Sequence, residues 1–355
     1  MKKVYFTILF IMSLFLVSCS SKEKLILYIP NDYIDKKVIR SFQKKENVKV
    51  KVLTFDSNEV ALGQIKSNSY DVIVPSDYAL EELAKEGYLE KLNYKELLGE
   101  DFVFTKQLDD FLKHLKNEGF DFLEYGVPYF FGSIGILYNE NTLTRERVIE
   151  EGFKVIADQT IETIIYDSAR DAIFAGMHIN GKNVHDSNRS IEDLKKDIND
   201  SEVWLKSAKG KKTSILSDEI LTDMLRGTKY DAVIAYSGDA VYIMSENDNY
   251  NYYMPENTNV WADGFAIPKN SNKKELAKKF IIHMSEFDNM YKNSLEIGYS
   301  AVNQDVLNKL LEDEFEDDKL TYAYEPKIEI FQTFRYDKEV KDLIDEAWRR
   351  VKAYK

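Results

Sequence analysis

The sequence predicts an α/β protein built from mainly parallel sheets flanked by helices and divided into about two domains. Short apolar strands alternate with helix-like segments along the chain. A strand, helix, strand order places parallel strands side by side, with the helices crossing over the sheet. At 355 residues, the chain is also too long to fold around a single small hydrophobic core, which favours two domains.

The first part of the chain shows this alternation clearly. Strand patterns occupy residues 25–28, 48–53 and 70–74, and apolar residues recur at helical spacing in 34–42, 60–65 and 79–86. In parallel sheets, ligands bind beyond the carboxyl ends of the strands. The turns at 30–33 and 75–78 are therefore candidate ligand-binding segments.

The later part of the chain repeats the theme, with a second sheet expected after about Tyr138. Residues 161–166, 232–236 and 260–268 have strand patterns. Amphipathic helices are predicted around Leu276 to Met284 and Val340 to Val351.

The N-terminus has the layout of an export signal. Lys2 and Lys3 precede an apolar run over residues 4–17, which is too short for a stable membrane span. The run ends in Leu16-Val17-Ser18-Cys19, and Cys19 is the single cysteine of the chain. We expect residues 1–18 to be a lipoprotein signal peptide, Cys19 to carry the lipid, and residues 19–24 to be a tether. The alternative is an ordinary signal peptide with an incidental cysteine.

Composition and motifs exclude several function classes. The formal charge of −13 becomes −15 without Lys2 and Lys3, which argues against nucleic-acid binding and suits a cationic ligand. The sequence contains no P-loop, nucleophile elbow, dinucleotide fingerprint or HExxH motif. Its four histidines are scattered without partners at metal-ligand spacing. We expect neither an enzyme nor a cofactor.

Several segments, taken in their order and spacing, resemble the spermidine/putrescine-binding proteins of bacterial ABC importers. The resemblance covers nearly the whole chain after the signal peptide. The segments are residues 27–28, 31–33, 55–60, 70–76, 128–132, 261–268, 347–348 and 351–352.

This resemblance implies a two-lobed clam-shell of the periplasmic-binding-protein type, with a polyamine trapped between the lobes. The first lobe would comprise residues 25–136 and 262–303, and the second 137–261 and 304–355. Crossing strands would join them near 134–138 and 260–265. The implied partners are a polyamine ligand, putrescine or spermidine, and the permease subunits of an ABC transporter. The implied location is extracytoplasmic, with the lipid holding the protein to a membrane.

The resemblance also implies the residues that contact the ligand. Trp261 and Asp263 match its most diagnostic pair, and residues two apart on a strand point to the same face. Helix capping by Asn31, Asp32 or Ser76 is the alternative role for those three. The full set is Asn31, Asp32, Tyr33, Ser76, Tyr78, Asp171, Tyr236, Asp239, Trp261, Asp263 and Tyr299.

The chain departs from the family pattern at three places. Pro30 stands where relatives carry a tryptophan, and Ser168 where some spermidine binders carry a second aspartate. A ligand-contacting glutamine of some relatives corresponds to Gln332 or is replaced by Arg335, and a cation there would disfavour a triply charged ligand. These departures favour putrescine over spermidine.

Two rival functions stay open from the sequence. Iron-binding members of this fold use paired tyrosines, and Tyr252-Tyr253 is such a pair, although its polar surroundings at 245–259 predict a surface loop. The second rival is a surface lipoprotein that has kept the fold but works as an adhesin or sensor.

Overall fold

The computed structural model describes residues 22–186, 189–216, 219–225, 227, 229–314, 318–325 and 329–355. The predicted signal peptide and the predicted lipidation site, Cys19, lie outside these residues. Within the described ranges, every helix is too short or too polar to cross a membrane.

The first sheet is fully parallel and has the order β2-β1-β3. Its strands are β1 (Lys24–Pro30), β2 (Lys49–Phe55) and β3 (Val72–Ile73). The helices that follow them are α1 (Lys36–Glu46), α2 (Asn58–Ser67) and α3 (Asp77–Lys85). β3 is shorter than predicted. Beside it, Ile73 exchanges two backbone hydrogen bonds with Ala266, so this edge of the sheet continues into a later part of the chain.

The second sheet has the order β6-β5-β7-β4-β8. Its strands are β4 (Val127–Asn139), β5 (Thr163–Tyr166), β6 (Thr213–Leu216), β7 (Ala232–Tyr236) and β8 (Tyr250–Tyr253). β5 runs parallel to β6 and β7, whereas β4 is antiparallel to β7 and β8. The predicted fold class, α/β with parallel sheets flanked by helices, is confirmed.

The long strand β4 connects the two halves of the molecule. Its first part pairs with β9 (Val260–Phe265), and its second part, from Ile134 onward, pairs with β7 and β8. All thirteen residues of β4 are buried, as expected for a strand covered on both faces. Of the three predicted lobe boundaries, 136/137 and 261/262 fall inside β4 and β9, and 303/304 falls at the start of the helix Gln304–Asp313. All three remain predictions.

The remaining helices pack around these sheets. They are α4 (Tyr94–Leu98), α5 (Lys106–Asn117), α6 (Arg145–Glu151), α7 (Ala169–His178), α8 (Ile191–Ala208), α9 (Glu219–Leu225), α10 (Ser237–Glu246), α11 (Lys274–Met284), α12 (Phe287–Ile297), α13 (Gln304–Asp313), α14 (Asp318–Tyr324) and α15 (Lys338–Ala353).

The predicted surface loop around Tyr252-Tyr253 is wrong. Both residues belong to β8, and the Tyr252 side chain is fully buried, with its hydroxyl donating to the Ala235 carbonyl oxygen at 3.1 Å. Tyrosine suits a pleated, half-buried surface. Here pairing with β4 outweighs the polar neighbours that predicted a loop.

Candidate functional site

A cleft of about 950 Å³ lies where the turns after β1, β3, β5 and β7 meet β9. All eleven residues that the sequence predicts as ligand contacts line it. Pro30 and Ser168, which depart from the family pattern, line it as well.

Asp263, on β9, is a buried carboxylate that lines the cleft. Its Oδ2 accepts a hydrogen bond from the Tyr33 hydroxyl at 2.7 Å, and its Oδ1 has no hydrogen-bond partner among the described residues. Burial raises the pKa of Asp263 to about 6, against the opposing effects of hydrogen bonding at Ser76 and from Tyr33. This carboxylate therefore has one oxygen held in place and one available to a ligand cation.

Trp261 forms an aromatic wall beside Asp263. Its ring packs edge-on against Tyr236, with ring centres 5.8 Å apart, and against Tyr299 at 5.1 Å. Gly132 on β4 makes room for it, since a Cβ there would lie 2.7 Å from Cζ2 of the indole. The indole face is thus fixed by close packing.

Asp171 provides a second buried carboxylate, in the first turn of α7. Ser168 caps this helix by accepting from the Asp171 amide at 3.4 Å. The Tyr236 hydroxyl donates to Asp171 Oδ2 at 2.5 Å. Burial raises the pKa of Asp171 to about 6, although the hydrogen bonds from Tyr236 and at Ser168 oppose this rise.

Two more cleft carboxylates have the same arrangement. The Tyr299 hydroxyl donates to Asp239 Oδ1 at 3.2 Å, and the Tyr78 hydroxyl donates to Glu59 Oε1 at 3.1 Å. We call the four contacts, including Tyr33 with Asp263 and Tyr236 with Asp171, the carboxylate–tyrosine pairs. A neutral hydroxyl orients a carboxylate without cancelling its charge. Each pair therefore places a carboxylate next to an aromatic ring, the combination that an alkylammonium group binds well.

Sequence reasoning did not nominate Glu59 and Arg170 as site residues. The Arg170 guanidinium lies 4.0 Å from the centre of the Tyr78 ring, and its Nε donates to Glu59 Oε1 at 3.3 Å. Both residues line the cleft. Glu59 lies in a segment that carries the family resemblance, and Arg170 directly precedes Asp171, so proximity to nominated residues was the available signal.

The capping alternatives for Asn31, Asp32 and Ser76 are wrong. Asp35 caps α1 instead, with its side chain accepting from the Lys37 amide. Asn31 donates to Asp56 Oδ1 at 2.6 Å, and the exposed Asp32 has a left-handed backbone with φ of 46°. Ser76 occupies the N-cap position of α3 without capping it.

The Ser76 side chain is engaged elsewhere in the first half of the molecule. Its Oγ accepts from Asn58 Nδ2 at 2.9 Å, and its amide donates to Asn58 Oδ1 at 3.0 Å. A backbone bridge also links Ser76 to Asp263. Ser76 thereby connects the turn after β3 to β9.

Neither Gln332 nor Arg335, the two residues considered for the position of the relatives' ligand-contacting glutamine, lines the cleft. Arg335 donates from Nε and Nη2 to the two carboxylate oxygens of Glu81, at 3.0 and 2.7 Å. The Gln332 amide donates to the Lys182 carbonyl oxygen at 3.3 Å. Phe334 lines the cleft instead, so this segment contributes an aromatic ring to the cleft and not the Arg335 guanidinium.

Nothing in the described part of the chain forms a group of three or more His, Cys, Asp or Glu side chains suited to a metal ion. The tyrosine pair of the iron hypothesis, Tyr252-Tyr253, lies outside the residues that line the cleft. Tyr252-Tyr253 therefore does not contribute to this cleft.

Gly238→Ala is expected to weaken ligand binding about tenfold, because a Cβ at Gly238 would lie 2.4 Å from the Tyr299 ring. Such overpacking costs about 1–3 kcal/mol, and moving the ring breaks the Tyr299–Asp239 hydrogen bond. Titration calorimetry measures the affinity. Gly63→Ala in α2 is the control, since its Cβ would meet no atom within 4 Å. Equal affinity in the two variants would contradict the assigned role of Tyr299.

Comparison with known proteins places the chain in a wide group of transport proteins. The family described as bacterial extracellular solute-binding protein matches residues 37–322. Spermidine/putrescine-binding periplasmic protein 1 of Haemophilus influenzae is 25% identical over 347 residues, covering 95% of this chain and 91% of that protein. The spermidine/putrescine-binding periplasmic protein of Salmonella typhimurium is 23% identical over 342 residues, covering 94% of this chain and 93% of that protein.

Among solved structures, a Listeria monocytogenes protein assigned to a spermidine/putrescine ABC transporter superposes with a TM-score of 0.78. The two are 26% identical, and the match covers 94% of this chain and 100% of that one. The structural similarity therefore extends over nearly the whole chain.

Proposed function

The chain belongs to the bacterial extracellular solute-binding proteins, which are not enzymes, and from the chemistry of its cleft we propose that it captures polyamines. The ligand is putrescine or spermidine. The protein works outside the cytoplasm and delivers its ligand to the permease subunits of an ABC importer. The names of its relatives, which describe spermidine and putrescine binding, support this proposal.

The observation that carries the proposal is the set of carboxylate–tyrosine pairs. A polyamine is a flexible methylene chain with ammonium groups, so it needs carboxylates for its charges and aromatic faces for its methylenes. Each contact of an ammonium with an aromatic face contributes roughly 0.5–2 kcal/mol. An ammonium and a carboxylate about 4 Å apart gain roughly 4 kcal/mol at an effective dielectric constant near 20, before desolvation is subtracted.

A thermal-shift panel tests this function against its rivals. The panel contains putrescine, spermidine, amino acids, sugars and ferric ion. A ligand at a hundredfold excess over its dissociation constant stabilises the protein by about 2.7 kcal/mol, and only the polyamines are expected to do so. Stabilisation by ferric ion or a sugar would contradict the proposal. No shift with any compound would favour an adhesin or sensor role.

We further propose that a lipid on Cys19 holds the protein at a membrane. Cys19→Ser removes the thiol that the lipid requires, so the variant is expected in the soluble fraction with an unchanged unfolding temperature. Cell fractionation with immunoblotting measures its location. Ser21→Ala, which alters the tether but keeps the thiol, is the control. Unchanged membrane retention of the Cys19 variant would refute the anchor.

A further inference from the structure

Asn259, the residue directly before β9, lines the cleft and is buried, at 1% exposure. Its Nδ2 donates to the Gln332 carbonyl oxygen at 3.3 Å, and its Oδ1 has no hydrogen-bond partner among the described residues. The contact with Gln332 fixes the orientation of the amide, because turning it over would set two acceptor oxygens against each other. A buried acceptor without a partner is costly, so Asn259 Oδ1 is suited to an N–H donor of a ligand.

Asn259 extends a row of cleft residues along β9. Asn259, Trp261 and Asp263 line the cleft, whereas Val260 and Ala262, which alternate with them, do not. This alternation is that of an extended strand, on which residues two and four positions apart share one face. The face toward the cleft therefore presents an amide oxygen, an aromatic ring and a carboxylate in that order.

We propose that Asn259 is a further ligand-binding residue, whose Oδ1 accepts a hydrogen bond from the far nitrogen of a long polyamine. The inference rests on the proposed polyamine function. A ligand that has one ammonium on Asp263 and its methylenes on Trp261 extends toward Asn259, because Trp261 lies between the other two on one strand face. Arg335, the cation that was expected to disfavour a triply charged ligand, does not line the cleft, so it does not oppose this contact.

The spacing along the strand decides which ligands reach Asn259. Four residues of extended strand place its Cα about 13 Å from that of Asp263, and asparagine and aspartate side chains have the same length. Hydrogen bonds of about 3 Å at each end leave about 7 Å or more between the two ligand nitrogens. With bonds of about 1.5 Å, the terminal nitrogens of extended putrescine are about 6 Å apart and those of spermidine about 11 Å. Spermidine therefore reaches both residues, and putrescine does not.

Calorimetric titration with 1,4-diaminobutane, spermidine and 1,8-diaminooctane tests the inference. The last has as many bonds between its terminal nitrogens as spermidine but lacks the middle amine, so it isolates the effect of length. Asn259→Leu keeps the branched shape and removes the oxygen. It is expected to lower the affinity for both long amines about tenfold and to change that for 1,4-diaminobutane less than about twofold. Equal effects on all three amines, or no effect on any, in the folded variant would overturn the inference.

Asn251→Leu is the matched control. Asn251 is also a buried asparagine and donates from Nδ2 to Glu140 Oε1 at 2.8 Å, but it does not line the cleft. Its loss is expected to lower the unfolding temperature and to leave the ratios of the three affinities unchanged.

If Asn259→Leu does not fold, Asn259→Asp serves instead, since it keeps the size and the acceptor of the side chain and adds a charge. It is expected to raise the affinity for both long amines relative to 1,4-diaminobutane, because their far nitrogen is an ammonium. An unchanged ratio would overturn the inference.

The outcomes also separate this inference from the proposed function. Binding of the three amines that Asn259→Leu leaves unaltered overturns the role of Asn259 and leaves the polyamine function standing. Failure of all three amines to bind the unmodified protein overturns the polyamine function and the inference that rests on it.

Discussion

Lowering the pH from 7.5 to 5 is expected to weaken polyamine binding by up to about a hundredfold. Burial raises the pKa of both Asp171 and Asp263 to about 6, and each must be ionised to hold an ammonium. At pH 5 about a tenth of the molecules have a given one of these carboxylates ionised, which costs about tenfold in affinity per carboxylate. The ligand amines stay protonated throughout, since alkylammonium groups have pKa values near 10.

Loss of the fold does not account for this weakening. The folded-state pKa of each aspartate lies above the ordinary value of 3.8, so the native protein binds more protons than the unfolded chain between about pH 4 and 6. The contribution of these two groups to stability is therefore greatest at low pH and falls as the pH rises through 6. In the ligand-free protein, acidification to pH 5 should protonate both side chains and so remove the free-energy cost of burying their charges.

Calorimetry across pH 5 to 7.5, in buffers of different ionisation enthalpy, measures both affinity and proton release. Binding near pH 5.5 is expected to release protons, and the release is expected to vanish above pH 7. Asp171→Asn removes one of the two titrating groups, so it should retain only about half of the logarithmic change in affinity with pH. Affinity that is independent of pH would show that neither carboxylate holds an ammonium.

The sequence predicted the residues that line the cleft better than it predicted the strands and ion pairs around the cleft. The strands that lead to the cleft are apolar runs, and turn residues mark where each strand ends. The eleven predicted ligand contacts lie at or just after those strand ends, on β9, or near α12. Local pattern and family resemblance are sufficient for such positions. The strand β8 was missed because its pairing with β4 depends on a distant part of the chain.

Ion pairs across the molecule were the least predictable feature. Arg170 pairs with Glu59 across 111 positions of the sequence, and Arg335 pairs with Glu81 across 254. No spacing rule relates residues so far apart, because only the folded chain brings them together. This is why Arg335 was considered as a ligand contact while Arg170, which does line the cleft, was passed over.

The buried Asp77 shows how the fold supports the diagnostic pair on β9. Its Oδ2 accepts from the Ala262 amide at 3.3 Å, between Trp261 and Asp263, and its Oδ1 accepts from the Tyr78 amide at 2.6 Å. Burial holds the pKa of Asp77 well above its usual range. One carboxyl group thus connects the two segments that carry the ligand-facing side chains.

Asp263→Asn is expected to lower polyamine affinity about tenfold to a hundredfold. The substitution keeps the shape of the side chain and removes its charge, and a hydrogen bond to a charged group is worth about 1.5–3 kcal/mol. Trp261→Ala should lose a comparable amount through packing and cation–π contact, with a weaker dependence on salt than the charge variant. Calorimetry at two ionic strengths measures both effects.

Asp71→Asn is the matched control for Asp263→Asn. Asp71 is also a buried aspartate and accepts from the Ile26 amide and from the Ser271 hydroxyl, each at 2.8 Å, but it does not line the cleft. Its loss should lower the unfolding temperature and leave affinity intact in the folded protein. If Asp263 and Trp261 only supported β9, their variants would behave like this control. Normal polyamine affinity in both folded variants would therefore place the binding site elsewhere.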